Sequence, residues 1–299
     1  MLLVVDPYYG ELGGRLALLS GFDLVVLEHK RFPDGELYFR IVDDVAGKEI
    51  CLLMGCGVFG QSDCVLRVLF LVRTLKDLGA KRVFLVLPYF PYARQDKRFL
   101  PGECVSARVL GEVFSSVGAD VIATVDVHSP GAFAFLGDKF VNLDSIPVWT
   151  EFFKRGFGRE FFLISPDEGR LEVVERLARA LGVQFTGFKK VRDLKSGKII
   201  GLEPMDVEYL RELSSSYNVA VLFDDIISTG GTAARVISLL RKHFTGKIVA
   251  AFTHGLFLPG STEKLVKAGV SDIVATDTVR NAFAKVSVAP LLLTFLKSL

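Results

Sequence analysis

The sequence predicts an α/β protein built from two homologous halves, each a mostly parallel sheet flanked by helices. Three observations lead there. The chain has 299 residues, half of them apolar, which exceeds one ordinary domain and is enough to bury two cores. Short β-branched runs alternate with helical patterns almost throughout, the mark of βαβ units. A faint internal repeat is also present: LKDLGAKRVFLVLPYF is echoed by LRKHFTGKIVAAFTHGLF and FSSVGADVIATVDVH by LVKAGVSDIVATDTV, about 150 to 170 residues later. That period is too long for a solenoid and fits a duplicated domain.

In chain order, the strand candidates are EICLLMG (49–55), RVFLVLP (82–88), DVIATVDVH (120–128), EFFLISPD (160–167), NVAVLFDD (218–225), KIVAAF (247–252) and DIVATD (272–277). Between them SDCVLRVLFLVRTLKDLG, VSARVLGEVFSSVG, GRLEVVERLARALG and TAARVISLLRKHF read as helices, three of them stopping at or near glycine. The boundary is placed near Asn142 to Pro147, giving an N-terminal domain 1–143 and a C-terminal domain 144–285. The last helix, about 286–299, is expected to pack back on the first half. Ligands of open parallel sheets bind beyond the carboxyl ends of the strands, so residues just after each strand matter most.

Lys plus Arg number 36 against 34 Asp plus Glu, a net charge of +2, with no block of one sign. Nothing in that balance implies a nucleic-acid or membrane partner. No run approaches the roughly 18 to 20 apolar residues of a membrane span. The N-terminus lacks the basic flank and long apolar core of a signal peptide, so a cytosolic location is expected. Cys51, Cys56, Cys64 and Cys104 form no CxxC pair and have no histidine at zinc-ligand spacing, so reduced, packed thiols are expected.

After Val219 to Phe223 comes Asp224-Asp225-Ile226-Ile227-Ser228-Thr229-Gly230-Gly231-Thr232, then a helix. Two glycines let the backbone turn tightly, so that successive N–H groups and hydroxyls converge at the positive end of a helix, where phosphate binds. The paired aspartates can hold sugar hydroxyls or hydrated magnesium. The plainer reading is a capped helix start, with Thr229 or Thr232 as cap and the aspartates solvated. The string resembles the phosphoribosyl-pyrophosphate motif shared by type I phosphoribosyltransferases and ribose-phosphate pyrophosphokinases.

Three more segments, each where a strand gives way to a loop, resemble signatures of the ribose-phosphate pyrophosphokinases that the transferases lack. They are Phe32-Pro33-Asp34-Gly35-Glu36, Pro88-Tyr89-Phe90-Pro91-Tyr92-Ala93-Arg94-Gln95-Asp96-Lys97 and Asp126-Val127-His128-Ser129-Pro130. With Ser165-Pro166-Asp167-Glu168-Gly169, the resemblance runs from about residue 30 to 280. It implies two type I phosphoribosyltransferase-like domains and transfer of a pyrophosphoryl group from ATP to ribose 5-phosphate. It also implies an ATP site of Phe32, Asp34, Gly35, Glu36, Arg94, Gln95 and Asp96, shared across a subunit boundary in a homo-oligomer, at least a dimer. Mg²⁺ would fall to His128 and Asp167, and ribose 5-phosphate to Asp224, Asp225, Ser228, Thr229, Gly230, Gly231 and Thr232. The residue types suit these roles. An arginine such as Arg94 holds phosphate bidentately, Phe32 can stack on adenine while Asp34 and Glu36 read its amine, and Mg²⁺ needs few protein ligands. Taken singly, His128 is an ordinary hydrogen-bonded histidine oriented by Asp126, and Arg94 to Lys97 a solvated turn.

Between QFTGF and KIIG lies Lys189-Lys190-Val191-Arg192-Asp193-Leu194-Lys195-Ser196-Gly197, which by itself is a basic hairpin connection. Family members carry Lys-x-Arg on a closing loop here. Lys190 and Arg192 match it as catalytic residues, Arg192 also meeting ribose 5-phosphate, and Lys189 remains a one-residue rival. Positioned cations are what phosphoryl transfer requires. Gly55-Cys56-Gly57-Val58-Phe59-Gly60 satisfies GxGxxG formally, yet the next strand brings no acidic residue for a ribose hydroxyl, so dinucleotide binding is not expected. The loop is read instead as letting the Gln61-Ser62-Asp63 helix start approach a ligand or partner subunit. No GxxxxGK[ST] string occurs. Two positions depart from the family pattern: Arg170 stands where many members have a small residue, and Ser228 where many have an acidic one. The expected rivals are a phosphoribosyltransferase and a non-catalytic regulatory relative.

Overall fold

The structure, a computed structural model, describes residues 1–57, 60–192 and 199–299, with the side chains of all of them except 192, 199 and 200. The chain divides into two compact units, Met1–Ser145 with Thr278–Arg280 and Ser287–Leu299, and Ile146–Asp277 with Asn281–Val286.

The first unit runs β1 (Leu2–Val5), α1 (Gly10–Ser20), β2 (Asp23–Leu24), β3 (Leu27–Arg31), β4 (Leu37–Ile41), β5 (Glu49–Leu53), α2 (Gln61–Asp77), β6 (Arg82–Leu87), α3 (Ser106–Ser116), β7 (Val121–Val125) and β8 (Phe140–Leu143). Its sheet has the order β2-β1-β5-β6-β7-β8, every neighbouring pair parallel. Strands β5 to β7 are buried on both faces, which explains their continuous apolar runs. Strands β3 and β4 form a separate antiparallel hairpin. The C-terminal helix Ala289–Lys297 belongs to this unit and packs on α1.

The second unit runs α4 (Ile146–Phe157), β9 (Phe162–Ser165), α5 (Leu171–Leu181), β10 (Phe185–Arg192), β11 (Ile199–Pro204), α6 (Val207–Ser216), β12 (Val219–Ile227), α7 (Gly231–Leu240), β13 (Lys247–Gly255), α8 (Ser261–Ala268), β14 (Asp272–Thr276) and β15 (Ala284–Val286). The order is β11-β10-β9-β12-β13-β14-β15, with only β10 and β11 antiparallel. One face packs Phe162, Leu222, Val236 and Leu240; the other packs Trp149, Phe153, Leu163 and Leu177. Both layers are needed because a parallel sheet exposes apolar side chains on both sides.

The two units share a topology. The run β1-β5-β6-β7-β8 in the first has the same order of connections as β9-β12-β13-β14-β15 in the second, and a hairpin (β3-β4, β10-β11) follows the first βα step in each. The strands of the sequence repeat are therefore equivalents, β6 with β13 and β7 with β14. Two details differ from the sequence reading. Strand β12 continues through Asp224 to Ile227, paired with β13 as far as Gly255, so the turn after it is shorter than the motif. The cysteines are not all thiols: Cys56 and Cys64 are joined as a disulfide with Cα atoms 5.3 Å apart. The bend after β5 carries Cys56 back to the first turn of α2, a proximity that spacing alone does not reveal. Cys51 is buried and Cys104 exposed, and burial pushes the Cys51 thiol up to about 12.

Candidate active site

In the second unit the sequence-flagged residues converge at the carboxyl ends of β9, β10 and β12, where a parallel sheet places its ligands. Beyond β9, Asp167 caps the turn Glu168–Arg170: its Oδ1 accepts the Gly169 N–H at 3.0 Å, and its carbonyl accepts the Ser165 hydroxyl at 2.7 Å. Its Oδ2 accepts Lys190 Nζ at 2.5 Å. Lys189 instead pairs with Glu203 Oε1 at 3.3 Å, directly across the β10–β11 ladder. Successive residues on a strand face opposite ways, so only Lys190 of the two reaches the Asp167 side. Arg192 closes β10, while its side chain and the loop residues Asp193 to Gly197 lie outside the described residues.

The turn after β12 is held from beneath. Ser228 accepts the Leu258 N–H at 3.0 Å through its carbonyl, and the Thr229 carbonyl accepts Lys264 Nζ at 3.1 Å. Gly230 has φ 72° and precedes α7. A Cβ there would sit 3.0 Å from the Ser261 carbonyl oxygen, so the left-handed conformation and the close approach both demand glycine. Among the described residues no side chain caps α7, and Thr229, Gly231 and Thr232 are exposed. The first amides of the helix are thus available to an anion. The Ser261 hydroxyl is buried against this turn with no hydrogen-bond partner among the described residues.

Asp224 and Asp225 precede the turn and are little exposed, at 16% and 8% of their side chains. Arg170 bonds to Asp225 Oδ2 through Nη2, and its Nε lies 3.9 Å from Asp224 Oδ1. The Asp224 carboxyl is pushed well above its ordinary value, chiefly by burial and then by the adjacent Asp225 charge, with Arg170 acting against both. The sequence flagged Arg170 as a departure but named no partner for it.

In the first unit the predicted ATP segments are loops at the periphery. Phe32 and Glu36 close the β3–β4 turn by a 2.8 Å backbone bond, Gly35 takes φ 97°, and Asp34 Oδ1 accepts the Glu36 N–H at 3.1 Å. Phe32 is 40% exposed, so its ring can take a stacking partner. Arg31 donates to the Gly35 carbonyl and to Asp63 Oδ2, each at 2.6 Å. The Ser62 and Tyr92 hydroxyls bond at 2.7 Å. The first turn of α2 therefore braces both the Phe32–Glu36 and Tyr92–Asp96 segments. Arg94 is exposed, whereas Gln95 Nε2 bonds to the Lys97 carbonyl at 3.1 Å and Glu103 Oε2 at 3.3 Å. Glu103 also accepts the Phe99 and Leu100 amides, which hold its carboxyl below its ordinary value. His128 is exposed beyond β7, and Asp126 accepts the Ser145 N–H at 3.0 Å as well as its hydroxyl. Sequence reasoning singled out neither Arg31 nor Glu103: the Asp63 partner of Arg31 is 32 residues away, and Glu103 gains its partners only once the loop from Gln95 to Leu100 folds back on it.

Fold and site together define a protein of two phosphoribosyltransferase-type units, the second carrying a glycine turn at a helix start, exposed at Thr229, Gly231 and Thr232. Residues 3–118 match the N-terminal domain of ribose phosphate pyrophosphokinase and residues 150–287 the phosphoribosyl transferase domain. The chain is 34% identical to a ribose-phosphate pyrophosphokinase of Methanopyrus kandleri, over 94% of this chain and 93% of that one. It is likewise 34% identical to ribose-phosphate pyrophosphokinase 2 of Archaeoglobus fulgidus, over 98% of both. A phosphoribosylpyrophosphate synthetase from Mycobacterium smegmatis superposes with a TM-score of 0.84 at 25% identity, covering 99% of this chain and 97% of that one. The chain belongs to the ribose-phosphate pyrophosphokinase family, and it is an enzyme of that class.

Proposed function

We propose that the protein transfers the β,γ-pyrophosphoryl group of ATP to the C1 hydroxyl of ribose 5-phosphate, in a Mg²⁺-dependent reaction that gives 5-phosphoribosyl 1-pyrophosphate and AMP. The C1 oxygen attacks the β-phosphorus, the bond from that phosphorus to the α,β-bridging oxygen breaks, AMP leaves, and the hydroxyl proton passes to solvent. The observation that carries this reading is the placing of Lys190 on Asp167 at the same sheet edge as the open turn Ser228 to Thr232.

The 5-phosphate is assigned to the amides and hydroxyls of Ser228, Thr229, Gly230, Gly231 and Thr232, and the ring hydroxyls to Asp224 and Asp225. Lys190, freed from Asp167 when substrate arrives, places its charge on the transferring group, and Arg192 is assigned the same task. ATP is assigned to Phe32, Asp34, Gly35, Glu36, Arg94, Gln95 and Asp96, in a site shared across a subunit boundary, which makes the working form at least a dimer. Among the described residues no three His, Cys, Asp or Glu side chains gather as a metal cage. Mg²⁺ binds through one or two protein groups, here assigned as Asp167 and His128, together with substrate phosphates. Bound there, it would neutralise phosphate charge.

Among the described residues no helix is long and apolar enough to cross a membrane. Incubation with ATP, Mg²⁺ and ribose 5-phosphate should release AMP in step with the new pyrophosphate ester. Release of ADP alone would overturn the proposal.

A further inference from the structure

The Asp224–Asp225 pair poses an electrostatic problem that the ribose-binding role leaves untouched. Two neighbouring carboxylates, 16% and 8% exposed, cannot both stay charged in a partly desolvated place without a countercharge. A proton, a metal ion or a fixed side-chain cation can supply it. Here the third is in place. Arg170 bonds to Asp225 Oδ2 and sets its Nε 3.9 Å from Asp224 Oδ1. At 17% exposure its side chain is itself largely withdrawn from water. Its backbone is fixed too, since the Arg170 N–H donates to the Asp167 carbonyl at 3.3 Å in the turn that Asp167 caps. The neighbouring acid, Asp167, is paired with Lys190.

From this geometry we infer that Arg170 is a positioning residue, a built-in countercharge held against Asp225 in the Asp224–Asp225 pair, doing there what a divalent cation could otherwise do. Its planar fork holds Asp225 in one orientation, so the ring hydroxyls of the sugar meet a carboxylate pair already set. The part of the inference that concerns the sugar rests on the ribose 5-phosphate reading of this site; the part that concerns the cation does not. Lysine retains the charge without the fork, and methionine retains the bulk without the charge.

The test uses the full chain, free of substrates, titrated with Mn²⁺ by calorimetry and by the electron-spin signal of the free ion. Arg170→Gly and Arg170→Met should each bind one Mn²⁺ per chain more than the wild type, and Arg170→Lys the same number as the wild type. Mn²⁺ should raise the melting temperature of Arg170→Met by more than it raises that of the wild type. In turnover assays Arg170→Met should raise KM for ribose 5-phosphate on the order of tenfold, with kcat changed far less, as expected for a group acting through another. Equal Mn²⁺ stoichiometry in the wild type and Arg170→Met would overturn the inference. An extra Mn²⁺ with an unchanged KM for ribose 5-phosphate would keep the countercharge and instead remove the sugar from this site.

Discussion

The bend after β5 and the turn after β12 occupy the same place in two units of the same topology, yet they are chemically opposite. Beyond β1, Asp6 is wholly buried and paired with Arg67 Nε at 3.1 Å, and Arg67 also donates to the Gly55 carbonyl at 2.6 Å. The Tyr9 ring fills the space beside Gly55, where a Cβ would come within 2.5 Å of it. The Tyr9 hydroxyl donates to the Thr278 carbonyl, and the Cys56–Cys64 bond closes the bend. Beyond β9 the equivalent acid, Asp167, is partly exposed with Lys190 above it. There the β12 turn leaves hydroxyls and helix amides facing outward. A strand-end bend becomes a ligand site only when its polar groups are not already consumed by the chain's own side chains.

Six substitutions test this contrast. Lys190→Ala should lower turnover by about a thousandfold or more, as expected for a cation on a transferring phosphoryl group, with the melting temperature nearly unchanged. Lys189→Ala, which loses only the exposed pair with Glu203, should leave turnover within a few-fold of wild type in the same steady-state assay.

Arg67→Ala is the mirror experiment. Removing one partner of a buried pair costs about 3–5 kcal/mol, so urea unfolding should show a large loss of stability, while the folded fraction keeps its KM for ribose 5-phosphate. Loss of ribose binding at intact stability would show that the first unit's bend is a working site after all.

Gly230→Ala introduces φ strain and a 3.0 Å contact with the Ser261 carbonyl, costing about 1–3 kcal/mol. Ribose 5-phosphate affinity should fall with it. The alternative substitution Gly231→Ala, with only the Thr229 hydroxyl oxygen at 3.8 Å, should be much milder in the same titration.

The smallest effect concerns pH. The Asp224 carboxyl is raised above 3.8 by burial and by Asp225. A carboxyl whose folded value exceeds its unfolded value contributes stability that is complete below the unfolded value and is lost as pH rises through the folded one. The substrate-free melting temperature should therefore carry a declining component across that window, which Asp224→Asn removes. An unchanged slope in the variant would mean that Asp224 is not protonated more readily in the fold than in the unfolded chain.

Much of this molecule was legible in one dimension. The helices α2, α3 and α5 start and stop where apolar period and glycine say, because those signals act within a few residues. The strands β5, β6, β7, β12, β13 and β14 showed as apolar runs because a parallel sheet buries both faces. The strings around Asp34, Arg94, His128, Asp167, Lys190 and Asp224 stood out by their resemblance to motifs of one family, in that family's order. The short edge strands β2 and β15 did not, since two or three residues carry no period. Nor did the paired cysteines, because only a fold that turns β5 back on α2 brings them together.

By itself, then, the sequence determined the α/β class and the duplication, written in local propensity and in a repeat of long period, and it marked candidate site residues only through motifs that resemble those of a family. The tertiary structure decided that Lys190 and not Lys189 meets Asp167, that Arg170 is spent on Asp225, and that the bend after β5 is filled while its counterpart after β12 stays open. Each of these depends on which strand lies beside which, and that pairing is fixed by packing between residues far apart in the chain.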